Sequence, residues 1–116
     1  MAAPTKFSTN LTKMLVSKQP HTELARIYSK NLRALAKMPT DYPYRKYTEN
    51  VIMERAALVK NEPNIQELEK KINCGQIEEV IIQANNELHL TRKILEWKAW
   101  EPLENEPPKS QWKWPL

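Results

Sequence analysis

The sequence predicts an all-α protein, a three-helix bundle followed by an extended C-terminal tail that is rich in proline and tryptophan. The chain of 116 residues has one glycine, Gly75, whereas strand-rich folds need glycine in their hairpin turns. Apolar residues recur at three- and four-residue steps, the period of a helix with one buried face. Prolines stand at the ends of these periodic segments. We therefore expect a basic N-terminal segment over residues 1–20, a helical bundle over 21–100 and a docking tail over 101–116.

The first helix is predicted within residues 21–39, HTELARIYSKNLRALAKMP. His21 or Thr22 is a candidate N-cap, Glu23 suits the positive end of the helix dipole, and Pro39 is expected to stop the helix. The predicted buried stripe consists of Leu24, Ile27, Tyr28, Leu32 and Leu35.

The second helix is predicted within residues 40–63, TDYPYRKYTENVIMERAALVKNEP. Pro43 fits the first helical turn, Asp41 is available as a cap, and Pro63 marks the end. The predicted stripe consists of Tyr44, Tyr47, Val51, Leu58 and Val59, with Ile52 at its edge.

A short helix is predicted over residues 64–72, and the longest helix of the chain follows within 76–100. Gly75 lies between them and is expected to be the C-cap of the short helix. The long helix has a predicted stripe of Ile77, Val80, Ile81, Ala84, Leu88, Thr91 and Leu95. This long helix and the first two are the three main helices of the predicted bundle.

The charge of the chain is unevenly distributed. Residues 1–48 contain nine basic and two acidic residues, whereas residues 49–116 contain nine basic and twelve acidic residues. A basic front half suits nucleic acid, an anionic membrane or an acidic protein surface, and it also suits an ordinary solvated helix face. Residues 1–22 resemble a mitochondrial targeting segment without arginine, and an ordinary N-terminus is the open alternative.

The sequence offers little for catalysis or metal binding. Cys74 is the only cysteine, and no base or second thiol accompanies it. His89 lacks a second ligand at helical spacing, and a single glycine cannot form a phosphate-binding loop. We therefore predict no enzyme activity, no metal and no cofactor. Arg45 and Lys46 lie among tyrosines, which keeps nucleic-acid binding as an alternative.

All four tryptophans lie in the last twenty residues, on a segment that is interrupted by prolines. Burying one tryptophan contributes about 4–6 kcal/mol, whereas ordering the backbone costs about 1–2 kcal/mol per residue. For a tail of this length the two terms nearly cancel, so the tail becomes ordered only where its tryptophans find good pockets. Either the tail packs on its own bundle or it docks on another protein.

Four stretches carry a family resemblance: YRKYTE, GQIEEVIIQANNEL, EWKAWEPL and QWKWP. From about Thr22 to the C-terminus, their order and spacing are similar to the alpha subcomplex subunit 5 family. Members of that family are accessory subunits of mitochondrial NADH:ubiquinone oxidoreductase, respiratory complex I. The resemblance implies a small helical bundle without flavin or iron–sulfur cluster that supports assembly and stability of the complex.

The resemblance also implies a place and partners. Family members are imported into mitochondria and lie on the matrix-facing peripheral arm at the inner membrane, in the quinone-reducing region. There they contact core hydrophilic subunits and approach an accessory subunit of nucleoside-kinase-like fold. The alternative function is a basic helical adaptor that binds nucleic acid or an organellar ribosome. The residues that we expect to bind partners are Tyr44, Arg45, Tyr47, Glu49, Trp97, Trp100, Trp112 and Trp114.

Overall fold

The computed structural model describes residues 8–111 and contains four helices within them. These are α1 (Pro20–Leu35), α2 (Pro43–Asn61), α3 (Ile65–Ile72) and α4 (Ile77–Trp97). The described residues form no strand, so the all-α prediction is confirmed, with α3 as a fourth helix beside the three longer ones. The predictions for Trp112 and Trp114 fall outside the described residues.

Helix α1 is the centre of the fold and packs against both α4 and α2. No Cα atom of α2 lies within 8 Å of a Cα atom of α4, so these two helices flank α1. Helix α3 packs across the ends of α2 and α4. The predicted stripe of α1 is correct at Leu24, Ile27, Tyr28 and Leu35, which are buried. None of the helices in the described part of the chain combines the length and apolarity needed to cross a bilayer.

The first residues of α1 and α2 show the structural effect of proline. Pro20 is the first residue of α1 and Gln19 is its N-cap, so the expected cap at His21 or Thr22 is wrong. Pro43 likewise opens α2, and the N-cap is Tyr42 rather than Asp41. Proline has its φ already set for a helix and lacks the amide hydrogen that a first-turn residue leaves unpaired. Each helix therefore begins at its proline without a side-chain cap.

The predicted stripe of α2 is wrong at two positions. Tyr47 is 73% exposed and Val51 is 46% exposed, whereas Ile52 and Val59 are buried. Helix α2 packs against α1 along one side only, so its buried face is narrow. The side of α2 that carries Ile52 and Val59 faces the core, and the side that carries Tyr47 and Val51 lies at the edge of that buried face.

In the short connection between α3 and α4, a residue ahead of Gly75 has a left-handed backbone conformation. The C-cap of α3 is Asn73, with a φ of 56°, so the predicted cap at Gly75 is wrong. Asparagine adopts this conformation more readily than most residues. Gly75 has a φ of 94°, and a Cβ added there would lie 2.0 Å from the Glu79 carboxylate. That carboxylate accepts the Gln76 amide hydrogen at 2.8 Å, which closes the first turn of α4.

Candidate partner-binding surface

A chain of hydrogen bonds joins the three long helices. The Tyr44 hydroxyl on α2 donates to the Glu87 carboxylate on α4 and lies 3.0 Å from the Thr91 hydroxyl. Thr91 in turn donates to Asn31 Oδ1 on α1 at 3.0 Å. Tyr44 and Thr91 have one hydroxyl proton each, so only two of these three contacts are hydrogen bonds at any one time. Because Asn31 and Thr91 are almost completely buried, these bonds hold α2 and α4 in place around α1.

The environment of Tyr44 perturbs its ionisation. Burial raises the pKa of the Tyr44 phenol to about 12, and the hydrogen bond to the Glu87 carboxylate contributes in the same direction. Both effects disfavour a phenolate beside a carboxylate. Tyr44 therefore stays protonated at physiological pH and acts as a hydrogen-bond donor inside the fold.

Arg45 and Glu49 form an ion pair on the first turns of α2. The Arg45 Nε atom lies 2.9 Å from Glu49 Oε1, and Arg45 Nη1 donates to the carbonyl of Met38 at 2.6 Å. Met38 is buried just after the end of α1. Arg45 thus satisfies a carbonyl in the α1–α2 connection, and Glu49 orients the guanidinium. Both groups stabilise this connection.

A cluster of aromatic rings lies where α4 ends. The Trp100 ring meets the Tyr42 ring edge-on with 6.0 Å between centroids, and Tyr42 lies 6.2 Å from Tyr44. Edge-to-face pairs at such distances are favourable beyond the area that they bury. The half-buried Trp100 therefore attaches the residues after α4 to the start of α2.

Two predicted aromatic residues point outward instead. Tyr47 is 73% exposed on α2 and Trp97 is 65% exposed at the last position of α4. Residues 101–111 follow Trp97 and are exposed at every position. Leu103 in that stretch is 75% exposed. Tyr47, Trp97 and the described part of the tail are thus each exposed, and we refer to these residues together as the outer surface.

The predicted site residues thus separate into two groups. Tyr44, Arg45, Glu49 and Trp100 contact other parts of the same chain, whereas Tyr47 and Trp97 face outward. The inward contacts of the half-buried Tyr44 and the exposure of Tyr47 could not be read from their shared apolar stripe. Sequence reasoning also missed Asn31, although it occupies the position four residues after Ile27 on the buried face of α1. A polar residue on such a stripe is the signal that could have identified it.

Cys74 and His21 belong to residue types that can catalyse reactions or bind metals, and both form hydrogen bonds within the fold. Cys74 is half-buried, and its sulfur accepts a hydrogen bond from Arg55 Nη2 at 3.3 Å. His21 bonds to the Glu62 carbonyl at 2.8 Å, where α2 ends. In the part of the chain that the structure describes, no group of His, Cys, Asp and Glu side chains is arranged to hold a metal ion.

Comparison with known proteins agrees with the resemblance of the four sequence stretches. Residues 14–79 match the family described as the ETC complex I subunit conserved region. The chain is 49% identical to NADH dehydrogenase (ubiquinone) 1 alpha subcomplex subunit 5 of Bos taurus, over the full length of both. It is 51% identical over 111 residues to the probable subunit 5 of Caenorhabditis elegans, covering 96% of this chain and 74% of that one.

A more distant relative extends the comparison to plants. The probable mitochondrial subunit 5 of Arabidopsis thaliana is 33% identical, with 93% of this chain and 69% of that one covered. These relatives are named as subunits of NADH dehydrogenase, which gives no support to the alternative of a nucleic-acid or ribosome adaptor. The chain belongs to the family of NADH dehydrogenase (ubiquinone) 1 alpha subcomplex subunit 5 proteins.

Proposed function

We propose that this protein is a non-catalytic accessory subunit of mitochondrial NADH:ubiquinone oxidoreductase, complex I. The observation that carries the proposal is the match over all 116 residues to a relative that is named as a subunit of this enzyme. A match of that length aligns the tail as well as the helices, so it covers the outer surface described above.

The roles of the inward-facing polar residues support a structural function. Tyr44, Glu87, Thr91 and Asn31 use their hydrogen-bonding groups to join helices, and Arg45 uses its own to satisfy a carbonyl. A catalytic acid or base must instead reach a substrate. We infer that these residues determine the shape of the bundle and that the partner subunits supply the redox chemistry.

The outward-facing residues are the proposed contacts with partners. Tyr47, Trp97 and the exposed residues 101–111 present large apolar groups on a polar bundle. Tyrosine and tryptophan are enriched at the energetic centres of interfaces, and prolines lower the entropy that a tail loses on docking. Trp112 and Trp114 extend this proposed docking tail.

The partners that we propose are the core hydrophilic subunits of the quinone-reducing region and an accessory subunit of nucleoside-kinase-like fold. The corresponding location is the matrix-facing side of the inner membrane, where the protein would be held by its partners. The basic residues 1–48, which carry nine cations against two acids, suit contact with acidic partner surfaces.

The test is assembly in mitochondria that lack the endogenous subunit. The wild-type chain should migrate on a native gel with the NADH dehydrogenase activity in a band near a megadalton. The change Trp97→Ala should reduce this incorporation. The matched control is Met53→Ala, since Met53 is 53% exposed on the opposite side of α2 from Tyr47 and Val51.

Two results would contradict the proposal. Wild-type protein that migrates alone, in mitochondria where the rest of the complex forms, would exclude the subunit assignment. Equal incorporation of the Trp97 and Met53 variants would exclude Trp97 from the interface. Circular dichroism of both purified variants provides the folding control, because neither change removes a buried side chain.

A further inference from the structure

The flanking helices α2 and α4 leave a groove between them, with α1 as its floor. The groove has a volume of about 330 Å³ and is open to solvent. Such a volume holds roughly ten water molecules, at about 30 Å³ for each. A few side chains of another protein would therefore fit. The lining residues used below are Tyr28, Asn31, Tyr47, Val51, Arg55 and Glu87.

Two polar groups on the floor of this groove are buried without hydrogen bonds. The Tyr28 hydroxyl and the Asn31 amide nitrogen have no hydrogen-bond partner among the described residues, and both side chains are at least 97% buried. A buried polar group without a partner costs free energy comparable to a lost hydrogen bond. Their arrangement therefore indicates that a partner with hydrogen-bond acceptors completes the site.

The charge near Tyr28 indicates which acceptor fits. The Arg55 guanidinium lies beside the Tyr28 hydroxyl as a positive charge and a close donor, and no acceptor among the described residues takes the proton of that hydroxyl. Arg55 donates one N–H group to the Cys74 sulfur, which is a weak acceptor, and a guanidinium has five N–H groups. A hydroxyl and a guanidinium side by side form a donor pair that matches a carboxylate.

The acidic lining residue lies at the other end of the groove. Tyr44, which binds Glu87, precedes Arg55 by eleven residues on α2, a rise of about 16 Å. The Glu87 carboxylate also accepts a hydrogen bond from Tyr44, which reduces its repulsion of an incoming anion. The rim above the floor carries the exposed side chains of Tyr47 and Val51. The groove thus has a cationic end, an apolar rim and free hydrogen-bond donors.

We propose that this groove binds an Asp or Glu side chain of a neighbouring subunit, flanked by apolar residues. The carboxylate is bound by the Tyr28 hydroxyl and the Arg55 guanidinium, with the Asn31 amide nearby, while Tyr47 and Val51 contact the apolar neighbours. This proposal rests on the proposed function, because the partner belongs to the assembled complex.

The first experiment replaces Val51 with the photo-reactive residue p-benzoylphenylalanine in the full-length chain, expressed in mitochondria. After native-gel purification and illumination, mass spectrometry identifies the cross-linked peptide. The expected product is a segment of another subunit with an Asp or Glu close to the cross-link. The same replacement at Met53, on the opposite side of α2, is the control and should not yield this peptide.

The second experiment uses Tyr28→Phe, which removes only the unpaired hydroxyl. In competition with the wild-type chain for assembly, we expect about 10- to 100-fold weaker incorporation, the effect of one hydrogen bond to a charged group. The unfolding midpoint of the purified variant should stay unchanged or rise. Changing the cross-linked Asp or Glu of the partner to its amide should weaken incorporation by a similar factor. Combining this change with Tyr28→Phe should weaken incorporation little more than either change alone.

Several results would overturn the proposal. These are a cross-link to residues 112–116 of this chain, to a second copy, or to a segment without an acid, and the absence of any cross-link from position 51. Destabilisation of the purified chain by Tyr28→Phe would show that the hydroxyl is bonded internally and would also overturn it. In all these cases the chain still migrates in the megadalton band, whereas failure of the proposed function removes it from that band.

Discussion

Replacing Tyr44 by phenylalanine tests whether the hydrogen bonds between α2 and α4 hold the bundle together. The change removes one hydroxyl, and with it the bond to the Glu87 carboxylate and the contact with Thr91 at 3.0 Å. A hydrogen bond to a charged group contributes about 1.5–3 kcal/mol when it is well buried. Tyr44 and Glu87 are half-buried, so water can partly replace the bond. We therefore expect a loss of about 1–2 kcal/mol in the free energy of unfolding.

The assay is urea denaturation of the purified full-length chain, followed by circular dichroism. For a bundle of this size, each kcal/mol corresponds to a shift of roughly 4–8 °C in the thermal midpoint. The matched control is Tyr47→Phe, which removes the same atom three residues later on the same helix. Because Tyr47 is 73% exposed, its change should stay within about 0.5 kcal/mol.

A double-mutant cycle with Glu87→Ala isolates the bond itself. The two changes should be less than additive, with a coupling energy of about 1 kcal/mol, since either one breaks the same bond. Equal stabilities of the Tyr44 and Tyr47 variants, or full additivity in the cycle, would refute the structural role of this network.

The same residue has a measurable pH signature. The pKa of Tyr44 is raised from 10.0 to about 12, so the folded state retains this proton longer than the unfolded state. Its contribution to stability is complete below about pH 10 and is lost as the pH rises towards 12. Burial also raises the pKa of Tyr28, so absorbance at 295 nm should show more than one late-titrating tyrosine, and Tyr44→Phe should remove the component near pH 12. An unchanged titration curve would place the late component on another tyrosine.

Three further changes test the core, a turn and the surface. Leu24 is completely buried, so Leu24→Ala should lower the free energy of unfolding by about 3–4 kcal/mol, as measured by urea denaturation. A loss below about 1 kcal/mol would show that the site collapses around the cavity. Asn73 has a φ of 56°, so Asn73→Gly should be neutral or stabilising and Asn73→Ala should cost about 1 kcal/mol in the same assay; the opposite order would contradict the left-handed cap. The Lys71 ammonium lies 2.7 Å from a carboxylate oxygen of Glu62 and lowers the pKa of Glu62. This ion pair should therefore stabilise the fold at pH values above 4.5, the ordinary carboxyl pKa, and lose that effect as the pH falls through the lowered pKa of Glu62 in the folded state. The measurement is unfolding stability as a function of acidic pH. An identical pH dependence in the Lys71→Met variant would contradict this role.

The tail requires its own comparison of stability and assembly. Removing residues 101–116 should leave most of the helical signal, because the described residues 101–111 are exposed. The same truncation should prevent incorporation into the complex. Unfolding of the truncated chain would instead show that the tail packs on its own bundle.

The sequence by itself determined the helical fold and the positions of its helices, because these depend on local chemistry. A single glycine excluded a hairpin-rich sheet, and Pro43 marked the first turn of α2 through its restricted φ, whereas the start of α1 at Pro20 was not predicted. The stripe of α1 was correct at four of its five positions because this helix is covered on two sides. The four stretches that carry the resemblance also identified the family without any structure.

Only the tertiary structure decided which residues face inward on α2 and what the polar residues contact. Tyr44 and Tyr47 share one apolar stripe in sequence, yet one bonds to Glu87 and the other is largely exposed. The choice depends on how α2 is rotated against α1, and that rotation results from packing over many residues rather than from local preference. The groove between α2 and α4 has the same origin, since a space between two helices that flank a third exists only after all three have packed.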